Sequence, residues 1–411
     1  MNKTPPTHTA MQQFPVENDC LLVGGIKLIQ LAKRVGCTPF YAYDRSLLNA
    51  RIKYLRENIP QQVHIHYALK ANPMPAVVQH MATITDGMDV ASGKEMKVAL
   101  DTPMPASEIS IAGPGKRVEE LSSAIAAGIT LHIESETELT RINEEALKLG
   151  IRPRVAVRIN PAFELKASGM KMGGGPKQFG IDEERVPDAL SAIKAMDLQF
   201  IGFHIFSGSQ NLNAESIIDA QKKSVDLAMR LSDHCPSPIL KLNIGGGFGI
   251  PYFPGETPLD LTQIGSELAH RVEEVQRNLP EARLILELGR YLVGEAGIYV
   301  CRIVDRKISR GEVFLIADGG LHHHLAASGN FGQVIRKNYP ATIGNRVIGS
   351  QREIASIVGP LCTPLDLLAN KMDLAKADIG DLVVIYQSGA YGYSASPTAF
   401  LSQPDAVEVL V

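Results

Sequence analysis

The sequence predicts an α/β fold, a (β/α)8 barrel followed by a C-terminal mostly-β domain. Three observations carry that prediction. Between residues 63 and 288, eight short apolar or β-branched runs alternate with longer amphipathic segments. In the segments 186–196, 214–231 and 261–277, apolar residues recur at three- and four-residue spacing, the period of a helix with one buried face. After Arg290 that period gives way to short runs joined by Gly- and Pro-rich turns.

The elements follow in order. A lone run at 40–43 (Phe-Tyr-Ala-Tyr) precedes a helix over 46–58 and is expected to join the β domain. Strands are expected at 63–69, 87–91, 108–112, 130–133, 154–159, 200–206, 240–244 and 284–288. Helices are expected between them at 75–81, 94–100, 118–127, 136–149, 186–196, 214–231 and 261–277. Strands separated by helices pair in parallel, because each crossover needs room to return. Eight such units in about 225 residues suit a closed barrel, although a doubly wound open sheet has the same periodicity. Beyond it, strands are expected at 298–304, 312–317, 354–358, 382–386 and 406–411. The expected division is therefore an N-terminal segment (1–44) joining the β domain, a barrel (45–290) and a β domain (291–411).

Composition narrows the function classes. The 411 residues, 45% hydrophobic and 21% charged, suit a soluble globular protein of two to three domains. Forty-one basic against 44 acidic residues leave a net charge of −3, which argues against a nucleic-acid binder. No apolar run is long enough to span a membrane, and residues 1–18 lack the apolar stretch of a secretory signal. The five cysteines are scattered, odd in number and without a CxxC pair, so a reducing cytoplasm is expected.

In such a barrel, chemistry gathers at the C-terminal ends of the strands. Lys70 follows the first strand, Asp89 lies near the end of the second and Arg158 ends the fifth. His204 lies in the sixth, Gly245-Gly246-Gly247 follows the seventh, and Glu287-Leu288-Gly289-Arg290 closes the eighth. Singly these read as a loop lysine, a core histidine, a tight turn and a surface ion pair. Together they are the parts that hold a phosphorylated aldehyde. Glycine N–H groups approach phosphate closely, arginine forks onto it, and a lysine amine condenses with the carbonyl. His322-His323-His324 invites a metal reading, but consecutive strand residues cannot all face one ion, and no metal is expected.

The chain resembles the fold-type III pyridoxal-phosphate decarboxylases, the family of the ornithine and diaminopimelate decarboxylases, built on an alanine-racemase-like barrel. The resemblance rests on Tyr67 to Asn72 (YALKAN), Asp89 to Ser92, His204 to Gln210 (HIFSGSQ), Gly245 to Gly249, Glu287 to Arg290, Cys362 to Asp366 and Gly389 to Gly392. These stretches keep the family's order and span nearly the whole chain. The resemblance implies pyridoxal 5'-phosphate held as a Schiff base on Lys70, with Glu287 at the pyridine nitrogen. It implies that Gly246, Gly247, Gly289, Arg290, Tyr391 and Ser209 hold the phosphate, with Asp89 and Arg158 in support. It further implies a homodimer with composite sites, in which Cys362 from the neighbouring subunit protonates a quinonoid carbon.

Departures from the family pattern bear on the substrate. Thr363 stands where the ornithine and diaminopimelate enzymes have an acidic residue for a distal amine, and Ala326-Ala327 where the latter have Arg-Pro. A distal ammonium would lack its partner there. Phe206 aligns with the family's ring-stacking histidine, and His204 lies two residues earlier on the same strand face, so either aromatic can cover the cofactor. The glycine-rich loop 168–177 and the run Cys362-Thr363-Pro364-Leu365-Asp366 resemble the butirosin-pathway subgroup, which decarboxylates an amino acid attached to a carrier protein. The expected activity is removal of the α-carboxylate of an L-amino acid or a conjugate, with Thr363 and Asp366 near the substrate. The alternatives are a diaminopimelate decarboxylase, a racemase and a non-catalytic binding protein. Glu287 in place of a racemase's arginine disfavours the second, and the retained Lys70 disfavours the third.

Overall fold

The computed structural model describes residues 7–164 and 170–411. They divide into two compact units, one of residues 51–250 and 258–291, the other running to residue 50 and adding 251–257 and 292–411.

The first unit is an eight-stranded parallel barrel. Its strands are β1 (His64–Ala68), β2 (Gly87–Val90), β3 (Ile109–Ile111), β4 (Thr130–Ile133), β5 (Arg154–Asn160), β6 (Gln199–Ile205), β7 (Lys241–Gly246) and β8 (Arg283–Leu288). Each pairs in parallel with the next, and β8 closes on β1 with Ile285 opposite His64 and Leu288 opposite Tyr67. That closure excludes the open sheet. The strand residues are almost all buried, as expected of strands covered by helices outside and filled by side chains within.

Helices start where short polar side chains can satisfy free amides. Ser92 accepts from the Glu95 amide, Ser135 from Glu138 and Asn213 from Ser216, opening Gly93–Leu100, Glu136–Leu149 and Ala214–Leu231. Of the glycine-rich loop 168–177 read above as resembling the carrier-linked subgroup, Ser168 and Gly169 lie outside the described residues. Met170–Lys171 pairs antiparallel with Gly208–Ser209.

The second unit is mostly β. Its strands are β9 (Gly297–Ser309), β10 (Glu312–Ala317), β11 (Ala341–Ile343), β12 (Arg352–Val358), β13 (Leu367–Ala375), β14 (Leu382–Ile385) and β15 (Val407–Leu410). The Phe40–Tyr43 strand pairs with both β9 and β15. A core of Phe14, Leu21, Val23, Leu28, Phe40, Ile298, Val300 and Val384 packs around it. The sequence does not predict β11 or β13. Asn370, Lys371 and Asp373 interrupt the apolar pattern of β13, and Lys371 takes a positive φ of 47°.

His322–His324 corrects an expectation, because these residues form a turn rather than a strand. His323 Nε2 lies 2.8 Å from the Pro404 carbonyl and its Nδ1 3.2 Å from the Tyr299 hydroxyl, while His324 Nε2 meets Ser388 Oγ at 2.9 Å. Among the described residues no cluster of His, Cys, Asp or Glu is arranged to hold a metal ion, and no helix is long and apolar enough to cross a membrane.

Gly265, inside the helix Leu261–Asn278, marks a close approach of backbones. A Cβ there would overlap the Asn58 carbonyl oxygen. Gly→Ala inside a helix ordinarily stabilises by about 1 kcal/mol. Here the sign reverses, and Gly265→Ala is expected to destabilise by about 1–3 kcal/mol through overpacking. Urea unfolding checks this, with a lower midpoint at unchanged slope as the expected result.

Candidate active site

The mouth of the barrel brings together residues far apart in the chain. Lys70 follows β1 in the short turn Leu69–Ala71, and Glu287 sits near the end of β8. Because β8 pairs with β1, Lys70 Nζ lies 3.5 Å from Glu287 Oε1. The lysine is partly exposed, with 40% of its side chain accessible, whereas Glu287 is buried. The amine is thus reachable from the mouth and the carboxylate only through it.

Glu287 is held from several sides. His204 Nε2 lies 2.9 Å from Oε2, and Asn243 Nδ2 donates to the same oxygen at 3.4 Å. Burial opposes the charge of Glu287, but Lys70, His204 and Arg158 outweigh it and hold the carboxyl well below the usual carboxylate range. It is therefore ionised at neutral pH, as a partner for a protonated ring nitrogen must be.

The two aromatic candidates separate. His204 is buried within the barrel, against Glu287 and with its ring centroid 4.4 Å from that of His132. Phe206 lies beside the lysine, with Nζ 5.1 Å from its ring centroid. Of the pair, Phe206 adjoins the Lys70 amine.

The phosphate candidates flank them. Gly246 pairs with Glu287 across β7 and β8, and a Cβ on it would overlap the Glu287 carbonyl oxygen. Gly245 and Gly247 take φ of 69° and 73°, a turn that glycine adopts without strain, and the Gly245 amide donates to Asn243 Oδ1 at 2.9 Å. Gly289 packs on Ala68 and Ala71, Arg290 opens the helix Arg290–Val293, and Ser209 lies on the short strand Gly208–Ser209. An approachable amine, a buried carboxylate behind it and a glycine turn too tight for a side chain at Gly246 fit a phosphorylated pyridine aldehyde.

Asp89 and Arg158 serve other partners. Asp89 accepts from Ser110 Oγ and lies 3.3 Å from His66 Nδ1, inside the barrel. Arg158 Nη1 donates to Glu134 Oε1 at 2.8 Å and covers the Phe179 ring. Glu134 was not singled out from sequence, yet it accepts from the Gly113 amide at 2.5 Å and the Gly180 amide at 3.3 Å. Burial works against its charge, but Arg158 and Lys116 prevail and hold it below the usual range. Its position at the end of β4 was the signal available.

Cys362, Thr363, Asp366 and Tyr391 belong to the β unit. Cys362 is an exposed free thiol. The Asp366 carboxylate is committed to backbone, accepting from Leu321 N at 2.6 Å and Leu361 N at 2.9 Å, and burial raises its pKa. It shapes the turn that carries Cys362 and Thr363. Tyr391 takes a positive φ of 52° in the Gly-Ala-Tyr-Gly turn.

Known proteins resemble this chain. The family described as "Pyridoxal-dependent decarboxylase, pyridoxal binding domain" matches residues 45–294. The L-glutamyl-[BtrI acyl-carrier protein] decarboxylase of Niallia circulans is 40% identical over 379 residues, 91% of this chain and 88% of that protein. The 2-[(L-alanin-3-ylcarbamoyl)methyl]-2-hydroxybutanedioate decarboxylase of Staphylococcus aureus is 31% identical, over 89% of this chain and 92% of its own. The crystal structure of a diaminopimelate decarboxylase from M. jannaschi superposes with a TM-score of 0.85 at 27% identity, covering 97% of this chain and 92% of that one. With barrel, lysine, carboxylate and glycine turn in these positions, the chain belongs to the pyridoxal-dependent decarboxylase family.

Proposed function

We propose that the protein is a pyridoxal 5'-phosphate-dependent carboxy-lyase that removes the α-carboxylate of an L-amino acid carried within a larger conjugate. The observation that supports it most directly is the Lys70 amine facing the buried Glu287 carboxylate at the barrel mouth. Bound there, the cofactor supplies an electron-accepting ring that lowers the barrier to breaking a bond at the substrate α-carbon.

The chain's own residues would then divide the work. Lys70 would hold the aldehyde carbon and Phe206 cover one face of the ring. Glu287, kept ionised by its neighbours, would keep the ring nitrogen protonated. Gly246, Gly247, Gly289, Arg290, Ser209 and Tyr391 would take the phosphate. Asp89 and Arg158 would act at one remove, through His66 and Glu134. Loss of carbon dioxide leaves the α-carbon one proton short, and the exposed Cys362 thiol is the proposed donor, supplied by the partner in a homodimer. Asp366 would place Cys362 and Thr363 toward the substrate. The five cysteines are all free, which suits a cytoplasmic enzyme.

The conjugate reading draws on Thr363, which offers a distal amine no charge, and on relatives named for amino acids joined to a carrier protein or a hydroxy acid. A free diaminopimelate substrate is the second reading, favoured by the whole chain's likeness to enzymes of that name. Carbon dioxide release separates the two. A glutamyl carrier-protein thioester is expected to turn over at least 100-fold faster than free diaminopimelate, ornithine, lysine or glutamate. Rapid turnover of diaminopimelate overturns the conjugate reading.

Two further outcomes are expected. The purified protein should show visible absorbance that borohydride abolishes and that Lys70→Ala lacks. A colourless protein that added cofactor does not restore favours a binding role instead. Mixing inactive Lys70→Ala and Cys362→Ala chains should recover about a quarter of the activity, because random pairing of two chains puts both lesions in one of two shared sites in half the dimers. No recovery despite demonstrated subunit exchange removes Cys362 from the neighbour's site.

A further inference from the structure

Below the lysine the barrel interior is unusually polar. His66, Asp89, Ser110, Thr130, His132 and Asn243 line one cavity of about 20 Å³, together with Lys241 and apolar residues that include Ala156. His66 Nδ1 and Nε2, Asp89 Oδ2, Thr130 Oγ1 and His132 Nδ1 are buried and make no in-line hydrogen bond within the protein. Buried polar atoms are rarely left so, and the volume admits about one water able to bridge two to four of them. The nitrogens of this layer therefore have a use within the cavity.

The ring of His132 has another. The residue opposite it on β5 is Ala156, whose small side chain leaves room for imidazoles from the two flanking strands, β4 and β6, to meet over β5. The ring centroids of His132 and His204 are 4.4 Å apart at an interplanar angle of 41°. His204 is anchored to Glu287 at one point on its far side, with Nε2 2.9 Å from Oε2, while its Nδ1 is buried and makes no in-line hydrogen bond within the protein. One anchored atom leaves the ring free to turn about it, and the neighbour that limits that motion most closely is His132, whose ring centroid lies 4.4 Å away against 6.3 Å for Phe206. Burial pushes His132 well below the usual histidine range, so the ring beside His204 is neutral.

We propose that His132 is a positioning residue, whose ring packs on His204 and thereby holds His204 against Glu287. The inference rests on reading Glu287 as the group that meets the cofactor's ring nitrogen. The ring, rather than its nitrogens, does the positioning, which separates this role from a general contribution to the polar core.

The test is a double-mutant cycle on pyridoxal 5'-phosphate affinity, measured on the full chain by visible absorbance. His132→Leu is expected to weaken cofactor binding about tenfold, and less than twofold on a His204→Asn background. His132→Phe, which keeps a ring but no nitrogen, is expected to stay within threefold of the unsubstituted chain, whatever it loses in melting temperature. Equal weakening by Leu on both backgrounds, or weakening by Phe as large as by Leu, overturns the proposal. If the Leu variant fails to fold, His132→Asn replaces it with the same expectations.

Should the unsubstituted chain bind no cofactor, the function proposed above fails, and the cofactor-free protein carries the test. In chain labelled with ¹⁵N-histidine, the His204 ring signal, identified by its loss in His204→Asn, is expected to shift in His132→Leu and to hold in His132→Phe. An unshifted signal in the Leu variant overturns the inference on its own.

Discussion

The whole site depends on the last barrel strand registering with the first. Lys70 and Glu287 stand 217 positions apart in the chain, and only the pairing of Leu288 with Tyr67 and Glu287 with His66 makes them neighbours. The same strand pairs Glu287 with Gly246 on its other side. Amine, carboxylate and glycine turn are thus fixed by one register. Side chains alternate along a strand, so a slip of one residue would turn Glu287 out of the interior and leave the amine without its partner. The flanking helices serve that register: each returns the chain to start the next parallel strand, and Gly265 lets one of them lie directly on backbone.

Inside that frame, charge is handled by pairing. A carboxylate buried without a partner would be protonated, or would destabilise the fold by several kcal/mol. Glu287 escapes through Lys70 and His204, and Glu134 through Arg158 and Lys116, whereas at Glu138 burial prevails over a 2.9 Å contact with Lys116 and raises the pKa. Arg158 contributes twice, in direct contact with Glu134 and at longer range to Glu287. A residue that the family resemblance associates with the cofactor thus reaches Glu287 through its charge.

Much of this was legible in the chain and some was not, for definite reasons. Barrel strands are buried on both faces and read as continuous apolar runs, so all eight stood out, as did the polar residues ending them. β13 did not, because Asn370, Lys371 and Asp373 break its pattern while backbone pairing to β12 holds it. His204 and Phe206 share a strand face two residues apart, which left their roles open. Their separation, one toward Glu287 and the other toward Lys70, is a matter of depth that period two cannot express. Glu134, His132 and Asn243 were missed because their partners lie on other strands, and which inward residues share a layer depends on the barrel's shear. The histidine triplet misled for the opposite reason, as a run resembling a strand proved to be a turn.

Glu134 carries a last implication. One carboxylate clips the amides of Gly113 and Gly180 and the guanidinium of Arg158, so that the loops following three consecutive strands are riveted to a single atom pair. That arc of the rim is common hardware. A lineage that trades one amino acid conjugate for another has little freedom to remodel it without unfastening all three loops at once. Diversification would then be channelled into the remaining loops of the barrel and into the turn around Cys362, which keeps the chemistry constant while the clientele changes.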